Sequence, residues 1–282
     1  MCPTPRLALG DSQVEIEVLA TGLNFKDVLF TTGLLRQQPG EAPLQLGLEC
    51  AGRITRVGKN VTEFAPGEDV MAVLNGGFVQ YARVESDCVV RKPAHCRIEQ
   101  AAALPIAYLT AYYALVVRAN LQPGERVLIH SAAGGVGLAA LHIAKRCGAQ
   151  IFATAGSEQK RDYLLSLGVH AVADSHDEQF ASHDEQFAAT LLTASDGQGM
   201  DVILNSLTGR LLDASLALLA GLPLASRCWH RWAVFLSWAA RTLWKTKRYR
   251  CVSSPKAAPL FRLIFTRRMV RLVATCNRLS LG

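Results

Sequence analysis

The stretch that most constrains this chain is Arg126-Val127-Leu128-Ile129-His130-Ser131-Ala132-Ala133-Gly134-Gly135-Val136-Gly137. A short aliphatic run ends in a turn of small residues. A helical pattern follows from Leu138 to Arg146 and closes at Gly148. Strand, glycine-rich turn and helix N-terminus, in that order, make the unit that receives the pyrophosphate of a dinucleotide. Gly134 lets the backbone approach the phosphates, and Gly137 lets the helix pack closely on the strand. The first helical N–H groups and the positive end of the helix dipole then face the anion. The first glycine of the fingerprint is replaced by Ala132, so the motif draws its weight from its surroundings.

Those surroundings repeat the pattern. Val127–His130 reads as a strand with its helix over 137–147. Ile151–Thr154 reads as a second strand, followed by a helix from Glu158 to Leu167 with Gly168 as its stop signal. Ala171–Ala173 and Asp201–Leu204 read as the third and fourth strands. Strands alternating with helices predict an α/β domain with a doubly wound parallel sheet, the Rossmann arrangement. Upstream, residues 13–20 alternate polar and apolar as a half-buried strand does. Short strand-like runs follow at 47–57, 69–74, 78–84 and 88–91, separated by Gly58-Lys59-Asn60, Pro66-Gly67-Glu68 and Gly76-Gly77. Short strands with glycine turns predict a small, barrel-like β domain. Helical patterning begins near Glu99, is broken at Pro105, resumes from Tyr108 to Ala119 and ends at Pro123-Gly124. The boundaries drawn are 1–105 for the β domain, 106–220 for the Rossmann domain and 221–282 for a tail.

The tail is set apart by charge. The chain of 282 residues carries +7 overall, but all 23 acidic residues lie at or before Asp213. Against them residues 1–213 hold 17 Lys and Arg, a balance of −6, whereas residues 214–282 hold 13 Lys and Arg and no acid, a balance of +13. Trp229, Trp232, Trp238 and Trp244 also lie there. An argument from overall charge to nucleic-acid binding therefore fails, since the two-domain part is mildly acidic. No charged-then-apolar signal opens the chain, and no apolar run reaches the ~18 residues of a membrane span. Eight scattered cysteines, without Cys-x-x-Cys, read as reduced thiols of a cytoplasmic protein.

Cofactor choice is legible after the second strand. An NAD site places Asp or Glu at that strand end, to accept from the ribose 2′-hydroxyl. This chain has Ala155-Gly156-Ser157-Glu158-Gln159-Lys160-Arg161. A neutral strand end followed by two cations suits a 2′-phosphate, so NADPH is favoured. Glu158 is the countersignal, accounted for by the helix dipole at a first turn. Lys160 and Arg161 as a solvated helix face is the bland alternative.

Asn24-Phe25-Lys26-Asp27-Val28-Leu29, Leu46-Gly47-Leu48-Glu49-Cys50-Ala51-Gly52, Leu109-Thr110-Ala111-Tyr112-Tyr113-Ala114-Leu115 and Asp201-Val202-Ile203-Leu204-Asn205-Ser206-Leu207 resemble the enoyl reductase domain of type I polyketide synthases and animal-type fatty acid synthases. That domain belongs to the zinc-free branch of the medium-chain dehydrogenase/reductase superfamily, and the resemblance runs from about residue 13 to 219. It implies a GroES-like β domain beside the Rossmann domain. It also implies NADPH-dependent reduction of the α,β double bond of enoyl thioesters on an acyl carrier protein, and it is compatible with a homodimer. A free-standing quinone-reductase-like enzyme and a non-catalytic remnant are the alternatives.

By resemblance, Thr110, Ser131, Ala133, Gly134, Gly135, Val136, Gly137, Ser157, Lys160, Arg161, Asn205 and Ser206 line the cofactor, and Asn24 and Asp27 lie on the substrate side, with turn capping as their other reading. Lys160 and Asp184 correspond to the family's candidate proton donors, and for Lys160 phosphate binding is preferred. Ser175–Ala181 is repeated unchanged as Ser182–Ala188, so Asp177 competes with Asp184 for that position. Leu35 stands where many modular reductases have a tyrosine. Zinc-dependent relatives have Gly-His-Glu where this chain has Gly47-Leu48-Glu49, so no metal is expected and Glu49 reads as structural. His130 and His142 read as packing residues.

The resemblance stops after Leu219. Out-of-frame or mis-spliced coding, a basic amphipathic membrane segment and a nucleic-acid-binding arm are three readings of the remaining residues. Without the family's last strands, the fourth strand is expected to have one unpaired apolar edge, leaving the chain marginally stable and weak as a reductase.

Overall fold

The structure is a computed structural model that describes residues 6, 8–34, 45–175, 186–207, 210–219 and 233–235. These fall into two compact units that part between Leu109 and Thr110. Among the described residues, no helix is long and apolar enough to cross a membrane.

The first unit contains β1 (Gln13–Thr21), α1 (Phe25–Thr31), β2 (Glu49–Val57), β3 (Asp69–Val73), β4 (Tyr81–Glu85), β5 (Val89–Arg91), α2 (Ile98–Ala102) and the start of α3 (Pro105–Tyr112). Its sheet is antiparallel in the order β4-β1-β2-β3-β5. Val14, Ile16, Cys50, Ile54, Val70 and Val84 fill its core. The ladder expected of residues 13–20 is interrupted twice, the second time between Val18 and Ala20. The β1–β2 register shifts between Glu15 and Ile16, and Glu15 is buried along with Val14 and Ile16. At this bulge Glu15 is covered by its partners rather than by the core, and it is kept ionised by their company. Its Oε1 accepts from Thr55 Oγ1 at 2.7 Å and from Arg56 Nε at 2.9 Å. The Arg56 hydrogen bond leads in holding its carboxyl below the usual range.

The break read from sequence at Pro105 is present, since α2 ends at Ala102, but the helix resumes before Tyr108, at Pro105 itself, the first residue of α3. At that position the missing N–H has no intrahelical partner to lose, and the fixed φ suits a helix start. The helix then loosens into a π-helical segment, Tyr113–Arg118.

The second unit continues with β6 (Arg126–Ile129), α4 (Gly135–Arg146), β7 (Gln150–Ala155), α5 (Glu158–Ser166), β8 (Ala171–Asp174), α6 (Gln186–Ala194), β9 (Val202–Asn205), α7 (Arg210–Ala217) and β10 (Ala233–Phe235). Its sheet is parallel throughout, in the order β10-β9-β6-β7-β8. Leu128, Phe152, Leu191, Met200 and Ile203 lie at its core. The four strands expected from sequence are present. The expected open edge of β9 is not, because Ala233, Val234 and Phe235 pair with Ile203, Leu204 and Asn205. A sheet edge presents unpaired N–H and C=O groups, and a short apolar segment of the tail satisfies them. Asp177 and Asp184, with residues 176–185 of the repeated stretch, lie outside the described residues, as does Leu35.

At the N-terminal edge of this sheet Asp201 brackets β6. Its Oδ2 accepts the Arg126 N–H at 2.8 Å, and its Oδ1 pairs with the Arg126 guanidinium at 3.0 Å. The pair fixes the register of β6 against β9, and hence the level at which both strands end.

Candidate functional site

The turn after β6 is built from backbone outward. Ser131 has φ +52°, uncommon for a residue with a side chain. Its N–H reaches Thr154 Oγ1 at 3.4 Å, and the next N–H, of Ala132, donates to the Thr154 carbonyl at 3.0 Å. The Gly134 N–H closes back on the Ser131 carbonyl at 2.9 Å, and Gly134 caps α4. Gly135, Val136 and Gly137 therefore form the first helical turn, whose N–H groups have no preceding turn to donate to. Two residues more belong to this helix than the sequence pattern indicated, so the glycines themselves carry its positive end.

The glycines differ in what demands them. A Cβ on Gly137 would lie 2.5 Å from both Cα and O of Ala132. A Cβ on Gly135 would meet nothing within 4 Å, and one on Gly134 only the Ser131 carbonyl at 3.3 Å. Neither Gly134 nor Gly135 has a positive φ. Packing thus requires Gly137, whereas at Gly135 neither packing nor conformation does. Open space above unpaired N–H groups is the cradle a phosphate occupies. Ala133 and Val136 are half-buried beside it.

Ser131 and Ser206 come together although 75 residues apart. Their hydroxyl oxygens are 3.2 Å from each other at the carboxyl ends of β6 and β9. Asn205 is wholly buried. Its Nδ2 donates to the Leu207 carbonyl at 2.8 Å, and its Oδ1 has no partner among the described residues. Thr110 lies half-buried in α3.

The two cations after β7 are not equivalent. Ser157 caps α5, its Oγ accepting the Lys160 N–H at 3.4 Å. The Arg161 guanidinium is held by Asp174 Oδ2 at 2.6 Å and reaches the Ala155 carbonyl at 3.4 Å. It is thereby fixed at the ends of β7 and β8. Lys160 is exposed and makes no ion pair with a described residue.

In the first unit, Asn24 and Asp27 are bound into the loop they stand on. Asp27 is buried; its Oδ1 accepts the Gly47 N–H at 2.9 Å and its Oδ2 the Asn24 N–H at 3.0 Å. Asn24 Nδ2 donates to Glu49 Oε1 at 2.8 Å, and Glu49 Oε2 accepts the Ile106 N–H at 2.8 Å. Burial pushes the Glu49 carboxyl above its ordinary value, the two hydrogen bonds oppose this, and Asp27 adds to the rise. Asp27→Ala strands two backbone donors, one of them buried. We expect it to destabilise the first unit by about 2 kcal/mol, read as faster amide exchange across β1 and β2. Among the described residues no group of three His, Cys, Asp or Glu is placed to hold a metal ion.

Sequence reasoning missed Thr154 and Ser215, which hydrogen-bond the two nitrogens of His130 at 3.0 and 2.9 Å. The available signal was a threonine inside an otherwise apolar strand and a histidine at a strand end.

The comparisons with known proteins agree with this architecture. Residues 10–94 match the alcohol dehydrogenase GroES-like domain, and residues 135–221 match the zinc-binding dehydrogenase family. The crystal structure of CurK enoyl reductase aligns with a TM-score of 0.73 at 31% identity, covering 96% of this chain and 91% of that one. The chain belongs to the enoyl reductases of the medium-chain dehydrogenase/reductase superfamily. JamJ enoyl reductase, in its apo form, aligns with a TM-score of 0.79 at 27% identity over 97% of this reductase and 83% of that chain. A phenolphthiocerol/phthiocerol polyketide synthase of Mycobacterium tuberculosis is 45% identical over 208 residues, 74% of this chain. The reductase spans 9% of that synthase polypeptide's length. A mycobacterial neighbour, Rv1454c, was solved complexed with NADPH and aligns with a TM-score of 0.68 at 28% identity, covering 77% of this chain and 66% of its own.

Proposed function

We propose that this chain reduces the α,β double bond of enoyl thioesters carried on an acyl carrier protein in the cytoplasm, using NADPH and no zinc. The observation that carries the reading is the open space over Gly135 at the start of α4, in a chain whose relatives include enoyl reductases. Bound NADPH supplies the hydride for Cβ of the enoyl group. The chain's own part begins with the pyrophosphate, taken by the N–H groups of Gly135, Val136 and Gly137 with the helix dipole behind them. Ser131 and Ser206 offer hydroxyls at the strand ends, where open α/β sheets bind ligands. Asn205 offers an unpaired carbonyl oxygen in the same place.

Ser157, Lys160 and Arg161 form the 2′-phosphate site. Arg161 is pre-set by Asp174, and Lys160 is the cation left to move onto the phosphate. The role of Lys160 is therefore binding rather than proton donation. By family position the proton for Cα comes from Asp184 or Asp177. Asn24 and Asp27 shape the substrate-side loop from within. Zinc independence is supported by Leu48 in the ligand position and by Glu49, whose two oxygens are already committed.

The test is NADPH oxidation by the purified protein with an enoyl thioester on pantetheine or a carrier protein. Turnover dependent on the thioester is expected, and turnover with quinones alone would replace the reading. Lys160→Ala is expected to raise the KM for NADPH about tenfold, the loss of roughly one charge-assisted contact, and to leave that for NADH nearly unchanged. Equal effects on both cofactors would remove Lys160 from the phosphate site.

A further inference from the structure

We infer that Thr154, His130 and Ser215 form a one-directional hydrogen-bond relay that sets the backbone of the glycine-rich turn and couples it to α7, which makes Thr154 a positioning residue for cofactor binding. The inference rests on the reading of that turn as the pyrophosphate site.

The direction of the relay follows from counting protons. Ser215 Oγ lies 2.7 Å from the Leu211 carbonyl, one turn earlier in α7, and donates its single hydrogen there. Toward His130 it is consequently an acceptor, so His130 Nε2 carries the proton and donates over 2.9 Å. A neutral imidazole has one N–H. Nδ1 must then accept, and the hydrogen it accepts comes from Thr154 Oγ1, at 3.0 Å. With its hydrogen used, Thr154 Oγ1 offers lone pairs to the Ser131 N–H. Hydrogens run from Ser131 N–H through Thr154, His130 and Ser215 to the Leu211 carbonyl. His130 is 3% exposed, Thr154 and Ser215 1% each, and Phe187 meets the imidazole edge-on at 5.7 Å between centroids. At that burial bulk solvent does not replace a missing partner, so reversing one link leaves a buried group unpaired.

The turn end of the relay is where it bears on function. Ser131 sits at φ +52°, a conformation that persists only where its surroundings impose it. Thr154 imposes it, taking the Ser131 N–H with its hydroxyl and the Ala132 N–H with its carbonyl. With these two donors occupied, the N–H groups of Gly135 to Gly137 are the ones turned to the ligand. Without the Thr154 hydroxyl, Ser131 is free to relax toward negative φ, and the turn must be ordered at the moment of binding.

The test uses the full chain with Thr154→Val, Thr154→Ser and Ser215→Ala. Valine keeps the shape of threonine and deletes its hydroxyl; serine restores the hydroxyl; Ser215→Ala cuts the relay at its far end. NADPH affinity by fluorescence and amide exchange at Ser131 are the readouts. We expect Thr154→Val, which loses the bonds to the Ser131 N–H and to His130 Nδ1, to bind NADPH about tenfold more weakly, with faster Ser131 exchange. Thr154→Ser should stay within about threefold of wild type. Ser215→Ala should speed exchange at Ser131 although α7 does not touch that amide. Equal weakening by valine and serine, or unchanged Ser131 exchange in Ser215→Ala, overturns the relay. Should the wild type itself not bind NADPH, the functional reading falls, while Ser131 exchange in Ser215→Ala still decides the relay.

Discussion

Replacing Gly137 by alanine is expected to abolish dinucleotide binding and to destabilise the second unit by about 3 kcal/mol, the upper range for overpacking a filled site. The added Cβ would stand 2.5 Å from Ala132 Cα and O and 2.6 Å from its carbonyl carbon. Carbon atoms rest at about 3.5–4 Å, so roughly an ångström must be found. The atoms in the way are backbone, and that backbone is pinned by the Ala132 N–H bond to Thr154. Relief therefore comes only by moving α4 off β6 or by opening the turn, and either displaces the N–H groups of the cradle. The helix-propensity gain of alanine over glycine, about 1 kcal/mol, is too small to offset this. Gly135→Ala is the control. Nothing lies within 4 Å of its Cβ, so it should fold at least as well as wild type and weaken NADPH binding alone. Paired urea titrations and NADPH titrations separate the two. Equal stability of the wild type and Gly137→Ala would remove the packing argument.

Mild acid is expected to weaken the second unit by about 2 kcal/mol between pH 6.5 and 4.5. Burial holds His130 down to about 3, against an ordinary value of 6.5. Between those values the unfolded chain binds a proton that the native chain refuses. Stability therefore falls as pH drops through 6.5 and continues to fall until about 3, at about 1.4 kcal/mol per pH unit. The relay gives the refusal a structural cause, because a second proton on the imidazole would expel the Thr154 hydrogen from Nδ1. His142, also held below its ordinary value by burial and then by Arg146 and Lys145, acts in the same direction. Glu49 acts oppositely in the first unit. Its raised value means the native state holds a proton that the unfolded chain has already released, and acid relieves that cost. Between pH 6.5 and 4.5 the two units should thus part company, with exchange accelerating in β6, β7 and β9 before β1 and β2; at lower pH the depressed Glu15 carboxyl draws β1 and β2 down as well. His130→Gln, which cannot take up the proton, should flatten most of the response in the second unit. A variant as acid-sensitive as the wild type would show that another group is responsible.

The period-of-two pattern in β1, the four parallel strands and the glycine-rich turn were legible because each is a local preference of the backbone, written within about ten residues. Glu15 departed from its pattern because a bulge belongs to the pairing of two strands, not to either one. Pro105 reads as a breaker because proline breaks helix interiors; whether it stands inside or at the start depends on where the helix begins. The edge of β9 differs from expectation for a related reason. The tail has no family pattern, yet pairing to an open edge needs only three residues of extended backbone.

The sequence by itself determined the two-unit α/β plan, the glycine-rich turn after β6 and the two cations after β7. Only the tertiary structure decided which of these residues act on one another. Ser131 meets Ser206 across 75 residues, His130 meets Ser215 across 85, and Arg161 is claimed by Asp174 while Lys160 is not. Such pairings depend on strand register and on the order β9-β6-β7-β8, which place distant strand ends side by side. A hydrogen bond requires its partner within about 3 Å, and no local preference in the chain specifies a distance between residues so far apart.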